Sequence, residues 1–554
     1  MAVDVQFHLS KWSSLVNDRT MFNAQWHEAA RIIDPAAKMF FFPHSMPPVG
    51  MKNTEEQFDA TTMLAMQRFA AVIESLSTPQ GNTWHRLVPG DKRLKKDKRT
   101  KQYFDDVTDL LFAYRYRPTA GFVGQAQQCY HSLGGYGNMT LFVDKNSDTP
   151  GLRYKHIHLG DSYYVENHQG VIDGLYRVLK IPPQTAVELF GADCPPDVAG
   201  LAKQPNGNSW SNRKEFLHVV TRRVGYDPRR VDKMGMEFES CYIYPQSKEV
   251  IREGGYRSFP YIVGRYTQTP GETYGRGPAQ WVLPAIKLLN EEKKTFITQG
   301  HRAIEPVLLA FDDGVMSSVT LRPGSVNWGG ISAEGRKMID VLPTGNLAMN
   351  EKMMDMERNL INDAFLISLF QILTENPQMT ATEVLERTRE KGILIAPTAG
   401  RMQAEFLGPL IDRELDVLQQ QNLLPPPPPQ LADSGGRYEV EYDSPMSRMQ
   451  RADKAAGFFR SMNRAAEYMT GEDVRNFLFR RRYAYMATFK GPLAEEVLAD
   501  LARFCRVHES TFDADPRVHA MLEGRREVAL RILNHLQMSP ESLWDLYAKG
   551  QSGK

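Results

Sequence analysis

At 554 residues, with 24% charged and 42% hydrophobic residues, the chain has ordinary globular composition and room for about two to four domains. A formal net charge of +1 lacks the basic excess of a tight nucleic-acid binder, whose affinity comes largely from phosphate neutralisation, though weaker, sliding contact stays open. Four scattered cysteines, Cys129, Cys194, Cys241 and Cys505, form no CxxC pair, so reduced thiols are expected, with neither a disulfide framework nor structural zinc.

Met1-Ala-Val-Asp4 lacks the basic n-region and apolar core of a signal peptide, which makes a cytosol the expected place of synthesis. Leu9, Trp12, Leu15, Val16, Phe22, Trp26, Ala29 and Ile33 recur near one stripe and predict a helix over Val5–Ile33, ended by Pro35. A second helix is expected over Asp59–Leu76, stopping at Ser77-Thr78-Pro79, with an extended segment opening at Trp84. Residues 134–145 read as a Gly-rich turn entering a strand. Alternation predicts strands at Tyr154–Leu159, Ser162–Glu166, Gly174–Leu179, Phe216–Arg223 and Glu237–Tyr244, with a turn at Gln169-Gly170. The fold class is therefore α+β.

Phe259-Pro260-Tyr261, then Arg265 and Tyr274-Gly275-Arg276-Gly277-Pro278, lead straight into a long amphipathic helix. Pro278 suits a first turn, and Pro284 marks either a kink or the true start. Val282, Ile286, Leu289 and Phe296 form its apolar face, opposite Lys287, Glu291, Lys294 and Thr298, and Gly300 is a plausible C′ residue. Short strands at Ala303–Phe311, Val315–Leu321 and Met338–Leu342 follow, with turns at 312–314 and 322–324. A returning helix is expected from Asn346 to about Leu373. Its apolar stripe is Met349, Met353, Met356, Leu360 and Ala364, opposite Glu351, Asp355, Arg358 and Asn362. Each strut would be roughly 30–40 Å long at about 1.5 Å per residue. Its most apolar part, Ala364–Leu373, is about half a bilayer span. Thr380 and Glu383 form a capping box, a helix from Ala399 to Asn422 is interrupted at Gly408-Pro409, and Pro425–Pro429 is a stiff spacer. From Ser447 onward the chain reads as mostly helical.

No constellation supports catalysis. Gly275-Arg276-Gly277 lacks the third glycine of a dinucleotide loop, no GxxxxGK[ST] occurs, and a turn explains the glycines better. His156 and His158 on one strand face could form a metal pair near Asp161, but two polar residues on a solvated face is the favoured reading. Asp312-Asp313 before Gly314 reads as a surface turn. Phe479-Arg480-Arg481-Arg482-Tyr483-Ala-Tyr485 interleaves bases with aromatics, though helical spacing fans those arginines around the axis. No metal, cofactor or catalytic residue is expected.

Helix, small β insert and returning helix, together with the 259–278 motif, resemble the stem and clip of the head-to-tail connector (portal) proteins of short-tailed bacteriophages. The likeness runs from about Leu9 to Gly491. It includes Thr78-Pro79 with Trp84, Tyr164–Gly170, Tyr176-Arg177, Gln184, Phe190-Gly191, Met379–Arg387, Leu410–Arg413, Asn422–Pro425 and Tyr442–Pro445 with Arg448 and Gln450. Beyond about 491 no pattern is recognised. The resemblance implies a dodecameric channel at one capsid vertex of the virion, assembled in host cytoplasm. Residues 1–275 would be the wing, 276–302 and 346–373 the stem, 303–345 the clip, 374–446 tunnel loop and wing return, and 447–554 a helical crown. Partners implied are a terminase motor, tail adaptors, major capsid and scaffolding proteins, and double-stranded DNA passing non-specifically, with no membrane. Lys287, Lys293, Lys294, Lys352 and Arg358 are candidates either to line the channel or, equally, to pair across neighbouring subunits, and Glu305, Asp312, Asp313 and Arg322 to dock partners at the clip. A tail adaptor or scaffold-type interaction protein is the alternative, and a nucleic-acid-processing enzyme a more remote one.

Overall fold

The Asp4 carboxylate accepts the Phe7 N–H at 3.0 Å and starts α1 (Val5–Asp18); α2 (Thr20–Ile33) follows after Arg19 alone. The expected single helix is thus two, because the Arg19 side chain turns inward and is held by distant carbonyls. The computed structural model describes residues 4–42, 55–91, 93–310, 347–367, 397–433 and 437–444, most of 319–342, and scattered single residues elsewhere. Contacts divide the chain into Met1–Asp453 and Lys454–Lys554, and the fold described here belongs to the first unit.

α3 (Thr61–Ser77) buries Ala65, Met66, Phe69, Ala70 and Ile73 and ends at Ser77-Thr78-Pro79, as its sequence requires. β1 (His85–Pro89) begins directly after the fully buried Trp84. The Asp97 carboxylate caps α4 (Lys98–Arg115) by accepting the Thr100 N–H at 2.9 Å. α5 (Phe122–Tyr136) packs on α3 and ends at Gly137, whose φ of 72° turns the chain into β2 (Asn138–Lys145).

Two antiparallel sheets carry the rest. β2 lies between β3 (Leu152–His156) and β9 (Tyr261–Arg265). Because side chains alternate, Leu141, Val143 and Ile262 enter the main helical core, while Tyr261 and Val263 enter a second core around Trp26 and Tyr274. The second sheet is a meander of β4 (Ser162–Glu166), β5 (Ile172–Ile181), β6 (Lys214–Arg222), β7 (Phe238–Tyr244) and β8 (Glu249–Tyr256). Between β5 and β6, α6 (Pro183–Phe190) and α7 (Pro196–Ala202) cover Phe216 and Tyr244.

The long helix pair is led by α8 (Pro278–Trp281). Pro284 lies in the first turn of α9 (Leu283–Ile304), so it marks the helix start rather than a kink. α9 passes through Gly300, which does not end it; a glycine inside a helix costs only about 1 kcal/mol against alanine. β10 (Leu308–Ala310) pairs with β11 (Ile339–Val341) before α10 (Leu347–Ala364) returns. The expected strand at 315–321 lies mostly outside the described residues, and the 380–383 capping box entirely so. A π-turn over Met402–Leu407 precedes α11 (Gly408–Gln420), so the helix continues through Gly408-Pro409. The widened turn accommodates a proline that cannot donate its N–H. Residues 425–428 have no regular structure, and Pro429 opens α12 (Pro429–Asp433). β12 (Tyr438–Tyr442) then pairs with β1, His85 opposite Tyr442.

Candidate channel and docking elements

The turn that launches the stem is built backbone against backbone. A Cβ at Gly277 would stand 2.7 Å from the Gly137 nitrogen, and one at Gly275 2.7 Å from the Gly137 carbonyl oxygen. The Asn138 side chain locks the contact: its Nδ2 donates to the Gly275 carbonyl at 2.9 Å, and its Oδ1 accepts the Gly275 N–H at 2.8 Å. The Arg276 N–H goes to the Thr267 carbonyl at 2.7 Å and the Gly277 N–H to Gln280 Oε1 at 2.9 Å. All three loop amides are committed inside the protein, so this loop is a fixed root for the helix and its amides are not aimed at a phosphate. Tyr274 is buried against Tyr164, with ring centroids 5.0 Å apart, and edge-on to Trp26 at 5.3 Å. Arg265, almost fully buried, pairs with Glu166 at 3.3 Å and Glu405 at 3.1 Å and donates to the Gly170 carbonyl. The Tyr261 hydroxyl meets His218 Nδ1.

α9 and α10 run antiparallel, with the Asn350 amide donating to Gln299 Oε1 at 2.8 Å and Glu357 facing Glu292. α9 buries Ile286 and Leu289 with Phe296 half-buried, as its pattern predicts. α10 corrects the sequence reading. Its inward row is Met354, Ile361 and Phe365, packed in the core that contains Phe69. Three of the expected stripe point out instead, Met353 at 42% exposed, Leu360 at 50% and Met356 at 71%, while Ala364 is partly buried against the core and the Met349 side chain lies outside the described residues. The helix carries two apolar rows, and the one meeting α3 is inside.

The candidate channel cations sit along this pair. Lys287 forms an ion pair with Glu28 of α2, and Arg358 bridges Asp59 at 3.1 Å and Asp355 at 2.9 Å. Lys294 lies 3.9 Å from Glu291 and over the Phe58 ring, and Lys293 lies over Phe296. Lys352 is exposed. Several of these charges are thus engaged within one chain, and of their partners only Glu291 and Asp355 stand near in sequence. At the tip, Glu305 caps the end of α9 and Arg322 is exposed, while Asp312 and Asp313 lie outside the described residues. The tip is more apolar than its turns suggested: Trp328, Val326 and Ile331 are each more than two-thirds exposed.

His156 and His158 do not lie on a solvated face. With His131, Asp34 and Tyr136 they line a cavity of about 480 Å³ between α3, α5 and β3. Burial pushes both imidazoles down to about 3, helped at His158 by the nearby Arg19 and Lys180 charges, so they are neutral at physiological pH. Asp161, the nearby carboxylate, pairs with Lys180 at 3.3 Å. The Phe479–Tyr485 segment lies outside the described residues.

Three buried arginines escaped sequence reading. Arg19 donates to the carbonyls of Leu159, Gly160 and Ser162 and stacks over Tyr163 at 3.7 Å. Arg115 pairs with Glu414, both fully buried, and the Tyr154 hydroxyl donates to the same carboxylate at 2.6 Å. Arg413 reaches the Val143 carbonyl at 3.0 Å and Asp416 at 3.1 Å. Only Arg413 stood in a recognised segment, Leu410–Arg413. The partners of the other two are far away in the chain.

A family model described as bacteriophage head to tail connecting protein matches residues 7–472. A second, described as Bbp19-like phage protein, matches residues 485–548, largely the stretch where sequence reading found no pattern. The "Probable portal protein" of Bordetella phage BPP-1 is 27% identical over 452 residues, covering 80% of this chain and 79% of that one. The "Portal protein" of Salmonella phage epsilon15 is 24% identical over 459 residues, again covering 80% and 79%. A chain from the "Neck of native GTA particle computed with C12 symmetry" is 13% identical at a TM-score of 0.33, covering 78% of this chain and 95% of its own. One from the "Neck of empty GTA particle computed with C6 symmetry" is 12% identical at 0.35, covering 78% and 94%. With the first match spanning both antiparallel sheets, the long helix pair and the tip between its helices, the chain belongs to the bacteriophage head-to-tail connecting protein family.

Proposed function

We propose that this chain is the repeating subunit of a portal ring at one capsid vertex, through which double-stranded DNA enters during packaging and leaves at ejection. The observation that carries the reading is the antiparallel pair α9–α10, which springs from a locked turn, carries a small β tip, and leaves Met353, Met356 and Leu360 bare. Family membership and two relatives named as portal proteins support it. In this reading 1–275 is the wing, 276–302 and 346–373 the stem, 303–345 the clip, 374–446 the tunnel loop and wing return, and 447–554 the crown. The ring is a dodecamer assembled in host cytoplasm and carried in the virion. Its partners are a terminase motor, tail adaptors, and the major capsid and scaffolding proteins. The chain itself does no chemistry. Negative-stain images of the purified full chain should show closed rings with a central hole; monomer or dimer alone, across several salts and concentrations, would overturn the proposal.

Lysines on the stem would line the passage as weak rings of like charge. Lys293, Lys294 and Lys352 carry this role best, with Lys287 and Arg358 moderated by Glu28, Asp59 and Asp355. Such moderated charge lets DNA slide. The clip, with Glu305, Asp312, Asp313, Arg322 and exposed Trp328, would dock motor and tail. One packaging assay checks both assignments. Replacing 305–342 by a Gly/Ser linker should leave rings but abolish packaging. Lys293, Lys294 and Lys352 changed together to Gln should keep rings and alter the salt dependence of DNA retention. Loss of rings in the first variant, or unchanged retention in the second, would refute the corresponding role.

A further inference from the structure

Among the described residues, one set of three metal-type donors lies close together, and it is remote from stem and clip. His8 Nε2, Glu239 Oε1 and Cys241 Sγ all stand within 4.8 Å of one another. The fold assembles them from opposite ends of the wing. Glu239 and Cys241 are two apart on β7 and so share one face, and α1 lies across that face with His8 turned inward. We propose that His8, Glu239 and Cys241 bind a divalent zinc-class cation that fastens α1 to the five-stranded sheet.

The spacing suits an ion placed between these donors. His8 Nε2 is 3.4 Å from Glu239 Oε1, longer than the usual 2.7–3.2 Å. Two ligand atoms each about 2.0–2.1 Å from zinc in a tetrahedron are separated by about 3.4 Å. A thiolate, an imidazole and a carboxylate are also the donor types zinc takes.

The surroundings complete the site. The other His8 nitrogen, Nδ1, meets the Tyr176 hydroxyl at 3.0 Å, so a proton held there fixes the ring with Nε2 free for metal. Tyr176, Val219, Cys241 and Glu253 are successive partners across β5, β6, β7 and β8, which brings Glu253 beside the thiol. Glu253 Oε1 is buried without a hydrogen-bond partner, and Arg223 Nη1 stands 3.8 Å away, beyond hydrogen-bond reach. That oxygen, or a water, would supply the fourth ligand. One thiolate and two carboxylates balance the ion together with the Arg223 guanidinium. Without an ion, burial pushes the Cys241 thiol up to about 12. On binding, the Cys241 Sγ–H bond breaks, its proton passes to solvent, and an Sγ–metal bond forms, so affinity rises with pH.

The test uses the purified full chain, kept reduced and stripped with chelator, and titrated with cobalt(II) and then with zinc(II) against a chromogenic chelator. Cobalt should give thiolate-to-metal charge transfer with tetrahedral ligand-field bands, displaced by a single equivalent of zinc. Cys241→Ser and His8→Gln should each weaken zinc by more than about 100-fold, and Tyr176→Phe by about 10–100-fold, the range for outer-shell partners. Cys194→Ser should change nothing. A folded wild-type chain that gives no charge-transfer band overturns the proposal without any variant. So does a band that survives Cys241→Ser or disappears in Cys194→Ser.

Discussion

Replacing Glu414 by alanine should remove about 3–5 kcal/mol of stability, the loss expected when one member of a buried ion pair is deleted. Arg115 and Glu414 are both wholly shielded from solvent, joined by Arg115 Nε to Glu414 Oε1 at 2.9 Å and by a second contact from Nη2. They tie α4 to α11 across 299 residues of chain. Tyr154 donates to the same carboxylate, and Trp84 lies 4.6 Å from the guanidinium carbon, so no water stands ready to replace the lost oxygen atoms. Arginine cannot neutralise itself, and the guanidinium would be left charged and unpaired. Net stabilities of domains run about 5–15 kcal/mol, so the variant should melt far lower or fail to accumulate in soluble form. Arg115→Met combined with Glu414→Leu should recover most of the loss, since it removes the charge along with its partner. Thermal melts of the three chains measure this. If Glu414→Ala melts within a few degrees of wild type, the pair is solvated and the helices are held by other contacts.

What the sequence disclosed and what it hid follow from the range of the forces involved. The turn at Tyr274–Pro278 was legible because glycine and proline constrain the backbone locally, although the crowding that requires Gly275 and Gly277 comes from distant residues, Gly137, Leu133 and Gly134 among them. The strands at 162–166 and 238–244 were legible by alternation, and the two stem helices by period and proline. Pairings over long separations were not. Nothing local to Arg115 announces Glu414, and nothing near His8 announces Cys241. The inward face of α10 was misread for a related reason. Met354, Ile361 and Phe365 are as apolar as Met353, Met356 and Leu360, and only the position of Phe69 on α3 decides between them. A helix with two apolar rows tells the reader that it has two neighbours without saying which row meets which.

That second row should hold the ring together. Met356→Glu, placed at the most exposed of the three side chains, is expected to leave the protomer folded and to abolish assembly. Met353, Met356 and Leu360 follow helical spacing, so they form one ridge that a neighbouring stem can cover. In a closed ring each protomer presents one such face forward and receives another behind, so a single substitution is felt at every interface. A carboxylate forced into that ridge loses its water without gaining a partner, which costs several kcal/mol at each contact. Solvent already reaches Met356 in the single chain, so the fold itself loses almost nothing there. The variant and wild type should therefore share one circular dichroism spectrum and one melting curve of the dissociated chain. Light scattering should separate a large assembly from a monomer. If rings of Met356→Glu persist at undiminished yield, the ridge faces the lumen or solvent, and the neighbouring stem must be held through α9 instead.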